Sequence, residues 1–137
     1  MITPYATVIH LADTDAAGRL YFASAGRIAH EAFEKIMADL GFPIGAMIRD
    51  GAYGLPVVHA DLDFHLPLNV GDAITVRSRP DVIGEKSVTF RHDIIRADGA
   101  TAVSVGITHV AVSGADGCAM PLPLPLRQAF ERITPDA

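Results

Sequence analysis

Ser24-Ala25-Gly26-Arg27-Ile28-Ala29-His30-Glu31-Ala32-Phe33-Glu34-Lys35-Ile36-Met37-Ala38-Asp39-Leu40 is the stretch that decides the architecture of this 137-residue chain. From Ile28, apolar side chains recur at Ala32, Phe33, Ile36, Met37 and Leu40, a spacing that lines up one stripe on a helix. Arg27, His30, Glu31, Glu34, Lys35 and Asp39 fall largely outside the stripe, with Glu31 and Lys35 at the i,i+4 spacing of an ion pair. Gly41 supplies the stop, because it tolerates the left-handed backbone of a helix C-terminus. Pro43 then opens a shorter helical turn that ends at Gly51. A helix of this length spans roughly 25 Å, enough to run along a whole sheet.

Outward from the helix the period changes to two. Tyr5 to Leu11 reads as a first strand. Downstream, Val58, Ala60, Leu62 and Phe64 share one strand face, with His59, Asp61, Asp63 and His65 on the other. Ile74 and Val76 alternate with Thr75 and Arg77 in a third strand that stops near Pro80. Val88, Phe90, His92 and Ile94 mark a fourth, and Val103, Val105, Ile107 and His109 a fifth. Asp98-Gly99 between the last two is a hairpin signal, since the favoured tight turns need positive φ. Pro121, Pro123 and Pro125 block further ladder pairing, and Leu126 to Ile133 reads as a short terminal helix. One long helix followed by consecutive antiparallel strands is an α+β pattern, expected as a single domain over residues 1–137. The simplest packing wraps a curved sheet of about five strands around the helix, whose stripe meets Val88, Phe90, Val103, Val105 and Ile107.

Composition narrows function. Half of the residues are hydrophobic and 20% are charged, which excludes a disordered chain. The net charge of −5 disfavours DNA, RNA or an anionic membrane as partner, because each needs a basic surface. The beginning of the sequence lacks a signal-peptide pattern, no apolar run approaches a membrane span, and the single Cys118 allows no internal disulfide; a cytoplasmic setting is expected. Against the negative total, Arg77, Arg79, Lys86, Arg91 and Arg96 make one stretch locally positive.

The chemistry concentrates between the first strand and the helix, in Asp13-Thr14-Asp15-Ala16-Ala17-Gly18-Arg19-Leu20-Tyr21-Phe22-Ala23. An aspartate at a helix entry ordinarily caps it. The same place also suits catalysis. Unpartnered N–H groups at a helix start can hold an oxyanion, and an ionised carboxylate beside them can act as nucleophile or general base. Small residues around it leave room for a substrate.

This block, with Tyr21-Phe22-Ala23 and the helical Glu31-Ala32-Phe33-Glu34, resembles the hotdog-fold acyl-CoA thioesterases of the 4-hydroxybenzoyl-CoA type, especially the branch acting on 1,4-dihydroxy-2-naphthoyl-CoA. The resemblance covers about residues 5–113, including Val57-Val58-His59-Ala60 and Gly71-Asp72. It implies a hotdog fold, hydrolysis of an acyl-CoA thioester without a cofactor, and a homodimer or homotetramer with active sites between subunits. By position, Asp15 matches the catalytic carboxylate, and Phe22 supplies a backbone N–H that polarises the carbonyl. Gly18 matches the turn glycine and Tyr21 the first member of the aromatic pair. Asp13 is expected to be structural. Where the family typically has an apolar residue after the glycine, this chain has Arg19. Coenzyme A would give Arg77, Arg79, Lys86 and Arg91 phosphates to meet. Glu31 can face the acyl pocket, and His59 can line it at the subunit interface. An aromatic acyl group is expected, with a short or medium fatty acyl or carrier-protein thioester as the alternative. A non-catalytic CoA-binding module is the alternative of another class.

Other constellations carry less. His59, Asp61, Asp63 and His65 in a row cannot all converge on one ion, so no metal site is expected. His10, His92 and His109 read as satisfied structural histidines. Cys118 has no basic neighbour to activate it. There is no Gly-x-Ser-x-Gly elbow and no phosphate-binding Gly-rich loop. The Asp-x-Asn-Pro-x-His signature of hotdog hydratases is absent, since the only asparagine is Asn69.

Overall fold

The long helix, α1, runs from Phe22 to Asp39 in a computed structural model that describes residues 3–135. It begins two residues before the expected Ser24 and buries Ala25, Ile28, Ala29, Ala32, Phe33, Ile36 and Met37, the helical stripe with one further turn at its start. Gly41 takes φ +90°, and the Gly41 and Phe42 N–H groups close back on the Ala38 and Met37 carbonyls. A second helix, α2 (Ile44–Asp50), ends at Gly51 in the left-handed conformation. The terminal helix, α3 (Leu124–Ile133), starts two residues earlier than expected because Pro125 fits a first turn, where N–H groups have no helical partner.

The strands are β1 (Tyr5–Val8), β2 (Tyr53–Gly54), β3 (Val57–Phe64), β4 (Ala73–Ile83), β5 (Ser87–Arg96), β6 (Thr101–Val110) and β7 (Val112–Ser113). Five form one curved antiparallel sheet in the order β1-β4-β5-β6-β3, which wraps α1. The short pair β2–β7 is separate and escaped the sequence reading, because two residues show no period.

Three expectations change. β1 stops at Val8, and the chain turns through a 3-10 segment at Leu11–Asp13, so His10 is an exposed turn residue and not a strand residue. β4 does not stop near Pro80 but continues to Ile83; Pro80 lies where the β4–β5 register shifts, so its missing N–H falls at an interruption the ladder already has. Lys35 pairs with Asp39 at 2.7 Å rather than with Glu31, which is held by Arg27 and Tyr5.

The core has two lobes along α1. Ile28 and Ala32 meet Ile74, Val76, Ile94, Val103 and Val105 in one. Phe33 and Met37 meet Val88, Phe90 and Phe130 in the other, where Phe90 receives Phe33 and Phe130 edge-on, each at 5.3 Å between ring centroids. His92 and His109 are fully buried in this aromatic layer. Each is only half satisfied. His92 Nδ1 lies 2.6 Å from the Ser78 hydroxyl and His109 Nδ1 lies 3.0 Å from the Leu55 carbonyl oxygen, while both Nε2 atoms lack a partner. The expectation of satisfied histidines is thus corrected: Phe33 stacks on His109 and Phe90 on His92, and a phenyl ring offers a ring nitrogen no conventional hydrogen bond.

β3 is one edge of the sheet. It pairs with β6 alone, and Val57, Val58 and Phe64 remain about half exposed. An eight-residue edge with open backbone groups and apolar side chains is a template for another strand.

Candidate active site

Residues 14–20 form a small hairpin between the 3-10 turn and α1. Thr14 bridges Leu20, and the Asp15 N–H donates to the Arg19 carbonyl at 2.8 Å. The Gly18 N–H closes on the Asp15 carbonyl at 3.0 Å, and Gly18 then takes φ +76°, a left-handed backbone that glycine adopts without strain. The hairpin is tied to the 68–70 segment, with the Leu20 N–H on the Leu68 carbonyl at 2.8 Å and the Val70 N–H on the Gly18 carbonyl at 2.9 Å.

The two aspartates do different work. Asp13 is buried; its Oδ2 accepts the His10 N–H at 2.8 Å and its Oδ1 pairs with Arg27, which also holds Glu31. Asp13 thereby clamps the turn to α1, and the Tyr21 N–H donates to its carbonyl at 2.9 Å. Asp15 is exposed and does not cap α1. The residue before the helix is Tyr21, and no side chain caps it. Instead Asp15 Oδ1 accepts the Ala17 N–H at 2.9 Å and the Arg19 N–H at 3.3 Å within its own hairpin. Among the described residues, Oδ2 is uncommitted. The carboxylate is thus held by one oxygen and presents the other.

Asp15 also lines a cleft. Asp15, Arg19, Leu20, Phe64, His65, Leu66 and Val103 are among the residues lining an open cleft of about 370 Å³, where one carboxylate, one guanidinium and one imidazole stand against an apolar wall. The entry to α1 follows the hairpin directly in the chain. Phe22 is its first residue, and its N–H, like that of Ala23, has no acceptor among the described residues. The exposed Tyr21 and Phe22 rings lie tilted 4.8 Å apart.

The remaining sequence-selected residues lie elsewhere. Glu31 is engaged by Tyr5 at 2.9 Å and by Arg27, away from the Asp15 cleft. His59 is exposed on β3, 3.6 Å from Asp61. Arg77 and Arg79 share the outer face of β4, but Arg79 pairs with Asp93 at 3.3 Å. Arg91 crosses β6 to reach Asp61 at 2.6 Å and also faces Asp81 at 3.6 Å. Gly106 makes that crossing possible, since a Cβ there would collide with the Arg91 guanidinium and the Asp61 carboxylate. Arg77 and Lys86 have no ion pair among the described residues. In the same residues no group of three or more His, Cys, Asp or Glu is placed to hold a metal ion, and no helix is long and apolar enough to cross a membrane. The cleft wall of Phe64, Leu66 and Val103 was not singled out from the sequence, where these residues carry only a strand signal.

A profile of the thioesterase-like superfamily matches residues 9–130. The chain belongs to this superfamily. It is 34% identical over 136 residues to the 1,4-dihydroxy-2-naphthoyl-CoA hydrolase of Acaryochloris marina, an alignment covering 93% of this chain and 95% of that relative. Among solved structures, it matches a 1,4-dihydroxy-2-naphthoyl-CoA thioesterase from Synechocystis with a TM-score of 0.86, at 28% identity and with 93% of each chain covered. It matches a gentisyl-coenzyme A thioesterase with a TM-score of 0.85, at 28% identity, covering 93% of this chain and 99% of the other. The sheet wrapped around α1 is the hotdog fold of this family, and the chain is a thioester hydrolase of the hotdog acyl-CoA type.

Proposed function

We propose that the chain hydrolyses an aromatic acyl-CoA to the free acid and coenzyme A, using the Asp15 carboxylate. The observation that carries this reading is the division of labour within a carboxylate that lines the cleft: Oδ1 is tied to its own hairpin and Oδ2 is uncommitted among the described residues. As a general base, Asp15 takes a proton from water while the water oxygen adds to the thioester carbonyl. The Phe22 N–H and its neighbour at the start of α1 receive the developing oxyanion. Collapse breaks the C–S bond, and the proton passes to the departing thiolate. As a nucleophile, Asp15 would add to the carbonyl itself and water would cleave the resulting anhydride. Both routes use the same open oxygen. The relatives act on naphthoyl and gentisyl thioesters, and the apolar wall of Leu20, Phe64, Leu66 and Val103 suits a flat ring. Free-thiol release over a panel of aryl and fatty acyl-CoAs tests the reading. Turnover fastest with aryl thioesters is expected; a preference for fatty acyl thioesters, or no hydrolysis at all, overturns it.

The site is completed by a second copy of the chain. The open β3 edge, the half-exposed Val57 and Val58 and the uncovered Tyr21–Phe22 pair are the surfaces such a copy would bury. Light scattering is expected to give a mass at least twice that of one chain. Val58→Asp is expected to shift the population toward monomer and lower activity with it. A wild-type monomer with full activity contradicts the composite site. Of the basic residues, Arg77 and Lys86 are the two expected to meet the coenzyme A phosphates, since Arg79 and Arg91 are already spent on carboxylates.

A further inference from the structure

Arg19 stands directly across the hairpin from Asp15. Two hydrogen bonds join them, one backbone to backbone from the Asp15 N–H to the Arg19 carbonyl at 2.8 Å and one from the Arg19 N–H to the Asp15 side-chain Oδ1 at 3.3 Å. Both side chains line the same cleft, yet they form no ion pair with each other, and Arg19 has none with any described residue. Arg19 is exposed and is the one Lys or Arg lining that cleft. Its backbone is fixed on the other side too, bridged to Asn69. A cation so held beside the reacting carboxylate, facing Phe64, Leu66 and Val103, has a donor fork and no acceptor of its own.

We propose that Arg19 is a specificity residue, donating from its guanidinium to an acceptor or anionic oxygen carried by the acyl group next to the thioester. This rests on the thioesterase reading above. Two sources of such an oxygen compete, a ring substituent and a coenzyme A phosphate. Position favours the ring. Arg19 adjoins the carboxylate that meets the thioester carbonyl, and the pantetheine arm holds the phosphates far from that carbonyl. The neighbouring cleft beyond Pro67 is also a poor path for phosphates, because Asp72 and Asp98 line it against the single Arg96, itself paired with Asp98. A guanidinium forms two directed hydrogen bonds to an oxyanion or carboxylate, a geometry an ammonium cannot copy.

The test compares kcat/KM for 1-hydroxy-2-naphthoyl-CoA and unsubstituted 2-naphthoyl-CoA in wild type, Arg19→Met and Arg19→Lys, with the matching pantetheine thioesters as phosphate-free controls. Arg19→Met is expected to lower the hydroxylated-to-unsubstituted ratio by about 10- to 100-fold, in CoA and pantetheine thioesters alike. Arg19→Lys is expected to restore part of it. Equal losses on both acyl groups overturn the proposal, since they mark a residue that merely shapes the Asp15 hairpin. A loss confined to the CoA thioesters overturns it in favour of phosphate recognition. Wild type that hydrolyses none of the four overturns the thioesterase reading and this proposal together, and is told apart because the failure precedes any substitution.

Discussion

Asp15→Asn is expected to fold as the wild type does and to lose turnover by roughly 10²- to 10⁴-fold, the scale of a removed general base. The amide keeps the shape of the carboxylate, and its oxygen can still accept the Ala17 and Arg19 N–H groups, so the hairpin survives. What disappears is the uncommitted negative oxygen. Amide nitrogen in its place neither takes a proton from water nor attacks a carbonyl. Asp15 is exposed, so the substitution uncovers no buried charge and leaves no cavity. The contrast is Asp13, whose buried carboxylate is paired with Arg27; losing that charge would loosen the turn and lower stability together with activity. Steady-state thiol release and a urea titration of Asp15→Asn check both halves. Wild-type turnover, or a lowered unfolding midpoint, contradicts the assignment.

The second large effect is acid instability. Burial, with the nearby charges of His109 and His30 adding to it, pushes His92 down to about 3. Burial pushes His109 down to about 4, against the Leu55 carbonyl, which favours the protonated ring. In the unfolded chain both take up protons near the ordinary histidine value of 6.5. The unfolded state therefore binds more protons than the folded state between about pH 6.5 and pH 3–4. The stabilisation is complete above that window and is lost as pH falls through it. At about 1.4 kcal/mol per unit, each histidine removes roughly 3 kcal/mol by pH 4. Two such losses rival the whole stability of an ordinary domain, about 5–15 kcal/mol. Urea midpoints should fall steadily from pH 7 to pH 4.5, and His92→Gln should flatten the fall. A midpoint constant over that range, or a slope that His92→Gln leaves unchanged, contradicts the account.

Much of this arrangement could be read from periodicity. The α1 stripe and the alternation at Val88–Ile94 and Val103–His109 identified the helix, two central strands and their contact. The Asp13-to-Ala23 block pointed to the candidate site, and in the fold its Asp15 and Arg19 line one cleft. What periodicity cannot carry is partnership at a distance. Nothing local marks β3 as an edge, because its alternation is the same whether a strand lies on one side or both. The basic stretch looked free in one dimension, yet sheet register brings Asp61 and Asp93 against Arg91 and Arg79. Gly106, which makes room for one of those pairs, is an ordinary glycine until the strands are laid side by side. Arg27 likewise was only a polar position outside the stripe, although it ties Asp13 to Glu31 and holds the turn before the Asp15 hairpin to α1.

The most direct test of the central claim follows oxygen from water to product. Purified chain is given excess 1,4-dihydroxy-2-naphthoyl-CoA in ¹⁸O-labelled water over many turnovers, with free thiol and the mass of the released acid measured together. The account predicts one thiol per acid, with heavy oxygen in the acid carboxyl, and essentially none of either from Asp15→Asn. Intact acyl-CoA recovered from the wild-type mixture, or labelled acid formed as fast by Asp15→Asn, contradicts it.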